Sequence, residues 1–206
     1  MKTLTRTSLL LAVVIAVAAP AQAQTTDDFH SVAYARLGYG TVAGERGAPA
    51  IGFGYRGELN SFALDVSFFN LSLGSGLAPD TAVSAGSILK LAVLRFASPE
   101  SDRTMYYGGG LSWGVVSLGR ASTATEYASS WTGSGLQGEA SVGYEFARRS
   151  PVRMFVQADL GVPFFRARSQ SYTFTRGSIL SSLREVDSRY LPSAVVSVGI
   201  GWNRHR

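Results

Sequence analysis

The sequence contains no cysteine and only two histidines, His30 and His205. The first absence excludes disulfides, thiolate nucleophiles and cysteine-based metal sites, so an exported protein of this kind needs another source of stability. Two histidines far apart in the chain form no cluster that could hold a metal. The composition therefore predicts a protein without a metal or a cofactor.

Charge is also scarce, because charged residues make up 16% of the chain, against about 25% in soluble domains. Lysine, usually common on wet surfaces, occurs only at Lys2 and Lys90. The formal net charge is +5, or +3 without Lys2 and Arg6, and the basic residues form no single run. These features argue against an exterior that is wet all round and against nucleic acid as a partner.

The first residues, MKTLTRTSLLLAVVIAVAAPAQAQ, have the arrangement of a secretory signal peptide. Lys2 and Arg6 precede an unbroken apolar run over 9–19, and residues 21–23 are a small-x-small cleavage sequence. The run is shorter than the ~20 apolar residues that a membrane helix needs. We therefore predict a cleaved signal peptide over 1–23 and one exported domain over 24–206. No later run is longer, so that domain either is soluble or crosses a membrane as strands.

The exported part contains eight segments of about ten residues in which apolar side chains alternate with polar or small ones. This period of two is typical of a strand with two different faces, and ~9–11 residues suffice to cross a membrane. The predicted strands are 31–40, 49–56, 62–70, 87–96, 105–116, 136–146, 153–162 and 193–202. Their connections alternate between short and long, which in an antiparallel chain puts all the long loops at one end.

The two faces of the predicted strands differ strongly. In 105–116, for example, Leu111 and Trp113 alternate with Gly110 and Ser112. The interior of an eight-stranded barrel is just wide enough for side chains to fill, so inward glycines make room for larger groups from other strands. We predict an all-β, eight-stranded, antiparallel up-and-down transmembrane β-barrel whose apolar face meets lipid. A soluble lipocalin-like periplasmic barrel, with the apolar face inside, is the alternative.

The predicted strand 87–96 allows two facings. If Leu91 and Val93 point outward, Arg95 does so too, at the short-turn end, where its side chain can reach the interface. A bulge at Leu94 would instead turn Phe96 outward.

With its signal peptide, its eight segments and a last strand that ends in SVGIGW, the chain resembles the small outer-membrane β-barrel family that includes OmpA-like and OmpX/Ail-like proteins, over 31–202. The resemblance implies a place in the cell outer membrane and contact with outer-membrane lipids and lipopolysaccharide. It also implies insertion by the outer-membrane assembly machinery, which recognises a terminal aromatic residue. Trp202 takes that place here, followed by NRHR.

The face predicted to point inward carries charged residues of both signs, which we expect to pair because an isolated charge in a narrow barrel is costly. The residues of this structural polar network are Arg36, Asp65, Lys90, Glu139, Glu145, Arg153 and Asp159. We expect Glu139 to pair with Arg36 or Lys90, and Asp159 with a neighbouring arginine, so that the network plugs the lumen. A gated ion path is the alternative role of the same residues.

The long loop 163–192 is rich in arginine and aromatic residues, and it is the candidate surface-contact region. Its arginines are Arg166, Arg168, Arg176, Arg184 and Arg189. Arginine binds phosphate through two parallel hydrogen bonds, so lipopolysaccharide phosphates or an extracellular partner are the expected ligands. We predict no catalytic residue: the resemblance implies that lipid A-modifying barrels use a histidine, whereas His30 and His205 lie outside the predicted strands and long loops.

The function predicted from the sequence is that of an integral outer-membrane barrel with a structural or surface-interaction role, adhesion or lipopolysaccharide contact, and a plugged polar interior. A small channel or a conduit for hydrophobic solutes is the alternative. A lipid A-modifying enzyme and the soluble periplasmic barrel are less favoured.

Overall fold

The computed structural model describes residues 29–44, 47–72, 81–122, 127–175, 178–184 and 187–204. The predicted signal peptide over 1–23 lies outside these residues. The described residues form the strands β1 (Phe29–Val42), β2 (Ala48–Leu59), β3 (Phe62–Ser72), β4 (Thr81–Phe96), β5 (Thr104–Ser122), β6 (Tyr127–Phe146), β7 (Val152–Pro163), β8 (Ala167–Thr175), β9 (Ser178–Arg184), β10 (Ser188–Arg189) and β11 (Ser193–Arg204). Within the same residues, no helix is long and apolar enough to cross a membrane.

Eight of the strands close into a barrel. From β1 to β7 each strand is antiparallel to the next, and β11 pairs with both β7 and β1. The predicted eight-stranded up-and-down barrel is confirmed, and each predicted segment lies inside one of these strands. Closure gives every strand a partner on both sides, which a spanning sheet in lipid requires.

Parts of the predicted long loops are strands as well. The β5–β6 hairpin continues without a break to the pair Ser122 and Tyr127. In the predicted loop 163–192, β8 pairs with the outer half of β6, and β9 and β10 pair with β8. β8 therefore extends the wall beyond the end of β7 at Pro163. Outside lipid these strands need no apolar face, so the alternation that marks the barrel strands is lost there.

The facing of β4 follows the first of the two alternatives. Arg95 is exposed, and its guanidinium carbon lies 5.8 Å from the centre of the Phe62 ring, whereas Phe96 is buried. The alternative bulge at Leu94 is wrong. The bulge lies at Ile88 instead. One extra residue of β4 shifts its register with both β3 and β5 there, so that Ile88 and Leu89 both face outward.

The outer face of the barrel is apolar and the inner face is polar. Large apolar side chains are exposed along every barrel strand, with Val198 at 60% among the most exposed. Most exposed aromatic residues of the barrel strands lie near the ends of the wall, while Phe53 and Phe68 are exposed near the middle of β2 and β3. The residues near the ends are Tyr39, Tyr55, Phe62, Tyr107, Trp113, Tyr144, Phe164 and Trp202. The soluble alternative requires the reverse arrangement, an apolar interior and a charged exterior, so it is excluded.

Inward glycines receive aromatic rings from other strands, as the sequence predicts. A Cβ atom on Gly143 of β6 would overlap the ring of Tyr106, and one on Gly199 of β11 would overlap the ring of Phe155. Both rings point into the lumen and are buried. The glycines therefore widen the interior locally, and bulky side chains fill it.

Candidate functional site

The lumen holds more charges than the sequence predicts. The seven predicted residues point inward, and Arg56, Glu58 and Arg148 join them. Three positive and four negative charges thus become five of each, and the described interior is formally neutral. The inward alternation of β2 through Gly52 and Gly54 would have indicated Arg56 and Glu58. Arg148 lies in a turn, where no periodicity reveals the facing of a side chain.

The layer of the lumen at the end of the long loops is apolar. Its buried side chains include Val42, Phe69, Val116, Leu118, Trp131, Leu191 and Val195, with Phe165 packed against them. Leu191 and Phe165 come from the segments that flank the β8–β10 extension, so that extension helps to close the mouth of the barrel.

The second layer, below the apolar one, contains Glu139 and Asp159. The Glu139 carboxylate is hydrogen-bonded by neutral groups. Its Oε1 accepts hydrogen bonds from Ser87 Oγ (2.8 Å), Ser112 Oγ (2.7 Å) and Gln137 Nε2 (2.7 Å). The expected pairing of Glu139 with Arg36 or Lys90 is therefore replaced. A cavity of about 20 Å³ lies beside these groups, which is room for about one water molecule.

In the same layer, Arg36 and Lys90, the two cations predicted as partners of Glu139, both pair with Asp159. Arg36 forms an ion pair with Asp159, and Lys90 Nζ lies 2.8 Å from Asp159 Oδ1. Ser141 Oγ (2.6 Å) and Gln157 Nε2 (2.8 Å) donate to the same oxygen. Strands β1, β4, β6 and β7 are tied together across the lumen at this level.

The third layer surrounds Arg56, which is buried among aromatic rings. Its guanidinium carbon lies 4.7–5.9 Å from the ring centres of Tyr34, Phe96, Tyr106 and Phe155. Two carboxylates balance its charge, Asp65 at 3.3 Å and Glu145 at 3.5 Å. The Tyr34 hydroxyl lies 2.9 Å from both oxygens of Asp65. Ring faces attract the cation while the carboxylates neutralise it.

The fourth layer closes the end with the short turns. Glu58 accepts from Arg148 Nη2 (2.8 Å) and from Arg153 Nη1 (2.9 Å), and Arg153 also reaches Glu145 at 3.2 Å. Arg148 Nη1 donates to the carbonyl oxygen of Pro99 (2.9 Å). The guanidinium carbon of Arg148 lies 4.0 Å from the centre of the Phe96 ring.

The turn between β6 and β7 is bound to the turn between β4 and β5. The Arg148 backbone N–H donates to the Asp102 carbonyl oxygen (3.1 Å), and the Arg149 backbone N–H donates to Asp102 Oδ1 (3.1 Å). Arg149 Nη2 donates to the Glu100 carbonyl oxygen (2.9 Å). We call these two bound turns the turn clasp; it holds Arg148 across the mouth of the barrel.

Of the five loop arginines, three have described side chains. Arg166 and Arg168 are exposed and line one crevice of about 490 Å³, the rim crevice, together with Thr132, Ser134, Phe165 and Ser188. Arg189 forms an ion pair with Asp187 and lies 5.4 Å from the centre of the Trp131 ring. Arg176 lies outside the described residues, and of Arg184 only the backbone in β9 is described.

His30 is exposed near the start of β1, at the end with the short turns. His205 lies outside the described residues. Within the part of the chain that the structure describes, no three of the histidine, aspartate and glutamate side chains are grouped to hold a metal ion.

No protein-family model matches the sequence, and neither does any curated protein. Solved structures do match the fold. Neisserial surface protein A aligns with a TM-score of 0.52 at 13% identity, over 87% of this chain and 99% of its own. A major outer membrane protein from Thermus thermophilus aligns with a TM-score of 0.57 at 11% identity, over 84% and 99%. The outer membrane protein OprG from Pseudomonas aeruginosa aligns with a TM-score of 0.51 at 10% identity, over 90% and 99%.

At these identities the likeness concerns the fold, and the fold is specific: the chain is an eight-stranded antiparallel β-barrel of the small outer-membrane type. The exposed apolar outer face of this barrel agrees with a place in the outer membrane, as the sequence predicts. In barrels of this class the short turns lie on the periplasmic side and the long loops outside the cell. The turn clasp is therefore periplasmic, and the rim crevice is extracellular.

Proposed function

We propose that this protein is an outer-membrane barrel that makes surface contacts, with lipopolysaccharide phosphate as its ligand and a lumen closed to solutes. The rim crevice is the evidence for the ligand, and the four filled layers of the lumen are the evidence that the lumen is closed. The barrel then serves as a rigid support, and its extracellular extension carries the contact. The exposed Trp202, two residues before the end of β11, supports recognition by the outer-membrane assembly machinery.

The rim crevice lies at the depth expected of lipid headgroups. Arg168 is paired with Thr132 of β6 and Ser188 of β10, so all three side chains are on the outer face. Further down the same wall are the exposed apolar side chains of Leu136 and Val162. The position is therefore just above the apolar belt, where a lipid anchored in the outer leaflet places its phosphates.

The chemistry of the rim crevice matches a phosphate. Arg166 and Arg168 offer planar donor groups suited to two-point contact with phosphate oxygens, and Thr132, Ser134 and Ser188 add hydroxyl donors. The Arg166 guanidinium carbon lies 5.3 Å from the centre of the exposed Tyr190 ring, which limits its rotation. The ion-paired arginines and the lysine of the lumen are buried, so among the described residues they do not offer their donor groups to a ligand outside the barrel.

Exchanging both crevice arginines, R166Q/R168Q, should weaken binding of purified lipopolysaccharide to the detergent-solubilised barrel at least tenfold. Charge-assisted hydrogen bonds contribute about 1.5–3 kcal/mol each, so the loss of two has an effect of this size. Surface plasmon resonance on immobilised lipopolysaccharide measures the dissociation constant. R189Q is the matched control, because Arg189 is already paired with Asp187, and it should leave the constant unchanged. Equal binding by R166Q/R168Q, or equal binding to dephosphorylated lipid A, contradicts the proposal.

The closed lumen predicts an electrical result. In planar bilayers the protein should show no steady current of porin size, because four layers of side chains fill the lumen. A 16–18-stranded porin added to the same bilayer is the positive control. Sustained open currents from this protein alone would support the channel alternative instead.

A further inference from the structure

The lipid-facing wall contains a second concave feature, on the opposite side of the membrane from the rim crevice. It is an open groove of about 840 Å³, which we call the wall groove. Its exposed side chains are apolar except at one end, where Asp102 and Arg103 of the β4–β5 turn border it; Arg36, whose side chain is buried, also lines it. A lipid has a polar headgroup at one end and an apolar chain. A membrane-facing groove that is apolar and has a charged pair at one end is complementary to it.

Strand register shows which way the wall groove runs. Phe146 is paired with Met154, Met154 with Ile200, Ile200 with Ala35, and Ala35 with Phe53. Met154 is two residues from the periplasmic start of β7, whereas Ala35 is six residues from the periplasmic start of β1. The groove thus begins at the periplasmic rim and climbs obliquely toward the middle of the membrane.

The length of the wall groove suits an acyl chain. From Phe146 on β6 to Phe53 on β2 it crosses four strand spacings of about 4.8 Å, roughly 19 Å in all. One leaflet contributes about half of the ~30 Å hydrocarbon core, and an oblique path through it is longer than that half. Ala35 lies among the larger Met154, Ile200 and Phe53 along this path, so its small side chain leaves the depression open.

The charged end is held in place by the turn clasp. The Arg149 backbone N–H donates to Asp102 Oδ1 (3.1 Å), and the Arg103 backbone N–H donates to Ser101 Oγ (3.4 Å). Within the described residues the Arg103 guanidinium takes no part in the clasp, so it is available to the groove. Adjacent opposite charges complement a headgroup that has both a phosphate and an ammonium.

We propose that the wall groove binds a zwitterionic diacyl phospholipid of the periplasmic leaflet. The phosphate contacts Arg103, the ammonium contacts Asp102, and one acyl chain lies along Met154, Ile200 and Ala35. This site is independent of lipopolysaccharide binding, because it lies at the opposite end of the barrel and shares no residue with the rim crevice.

The chain supplies a reporter and a matched internal control. Met154 lines the wall groove along the acyl path, whereas Met105 faces outward on β5 outside the lining, two residues from Arg103, and both are 54% exposed. With the full mature chain labelled at the methionine methyl carbons, phosphatidylethanolamine titrated into detergent micelles should shift the Met154 signal in a saturable way. The Met105 signal, which is near the charged end and not on the acyl path, should shift much less than the Met154 signal. Parallel, unsaturated shifts of both signals would mean that lipid merely surrounds the barrel, and they overturn the proposal.

Variants separate the headgroup from the chain. R103Q should raise the phosphatidylethanolamine concentration at half-saturation at least tenfold, while R95Q, which removes an exposed rim arginine outside the groove, should leave it unchanged. A35F fills the groove and should abolish the Met154 shift; fold integrity is checked by the unchanged Met105 signal. Diacylglycerol lacks the phosphate, so if it saturates the Met154 shift at the same concentration, the contact with Arg103 is wrong. Phosphatidylglycerol lacks the ammonium, so if it does the same, the contact with Asp102 is wrong.

Discussion

The R56M variant should lose about 3–5 kcal/mol of the free energy of unfolding. Arg56 is buried between Asp65 and Glu145 and makes ion pairs of 3.3 and 3.5 Å with them. Methionine removes the cation and leaves both carboxylates inside the barrel, and breaking a buried pair by removing one partner has a cost of this size. Urea unfolding of the barrel in lipid vesicles measures the loss, and the heat-dependent shift of the folded band on a gel gives a second reading.

Two further variants assign the loss to the buried charge. R95Q removes an exposed arginine, so the free energy of unfolding should change by no more than about 0.5 kcal/mol. R56M/D65N removes one charge of each sign and should recover part of the stability, because Glu145 keeps Arg153 as a partner at 3.2 Å. If R56M proved as stable as the unsubstituted protein, Arg56 would not hold the aromatic layer together.

The V198R variant should destabilise the barrel in lipid by about 2–4 kcal/mol. Val198 is 60% exposed on the outer face, halfway along β11 and between Leu37 and Val156 of the adjacent strands. An arginine that faces lipid near the midplane has a cost of this size. The measurement is the free energy of unfolding in vesicles of defined composition.

Depth dependence is the control for V198R. T132R places the same side chain on the same face at the extracellular rim, where the cost falls to about 0–1 kcal/mol. V198A tests the loss of the valine alone and should cost much less than V198R. If V198R and T132R had the same small effect, the outer face would not be in contact with lipid.

The interior differs from a solute path in how its charges are distributed. Five cations and five carboxylates lie at successive depths rather than along one wall, and most are in contact with the opposite sign. Some contacts join neighbouring strands, such as Arg56 of β2 with Asp65 of β3, and others cross the lumen, such as Lys90 of β4 with Asp159 of β7. This distribution supports the proposed structural role of the network, while the two proposed lipid contacts use the outer surface.

Prediction was most successful where a single local pattern carries the information. Alternation of apolar and small residues placed all eight barrel strands, and it assigned Leu111 to lipid and Asp159 to the lumen. It did not extend to β8, because that strand lies beyond the membrane and has no apolar face to mark it. The bulge at Ile88 was missed for a related reason: one extra residue in an apolar run leaves the run apolar.

The sequence by itself determined that this protein is a barrel, which face meets lipid, and which strand charges point inward, because each depends on the period of two along one strand. Only the tertiary structure decided the partners. Whether Lys90 reaches Asp159 or Glu139, and that Arg148 closes the periplasmic mouth, depends on the shear between strands and on the contact between two turns. Shear and turn contacts join residues distant in the chain, so no local pattern encodes them.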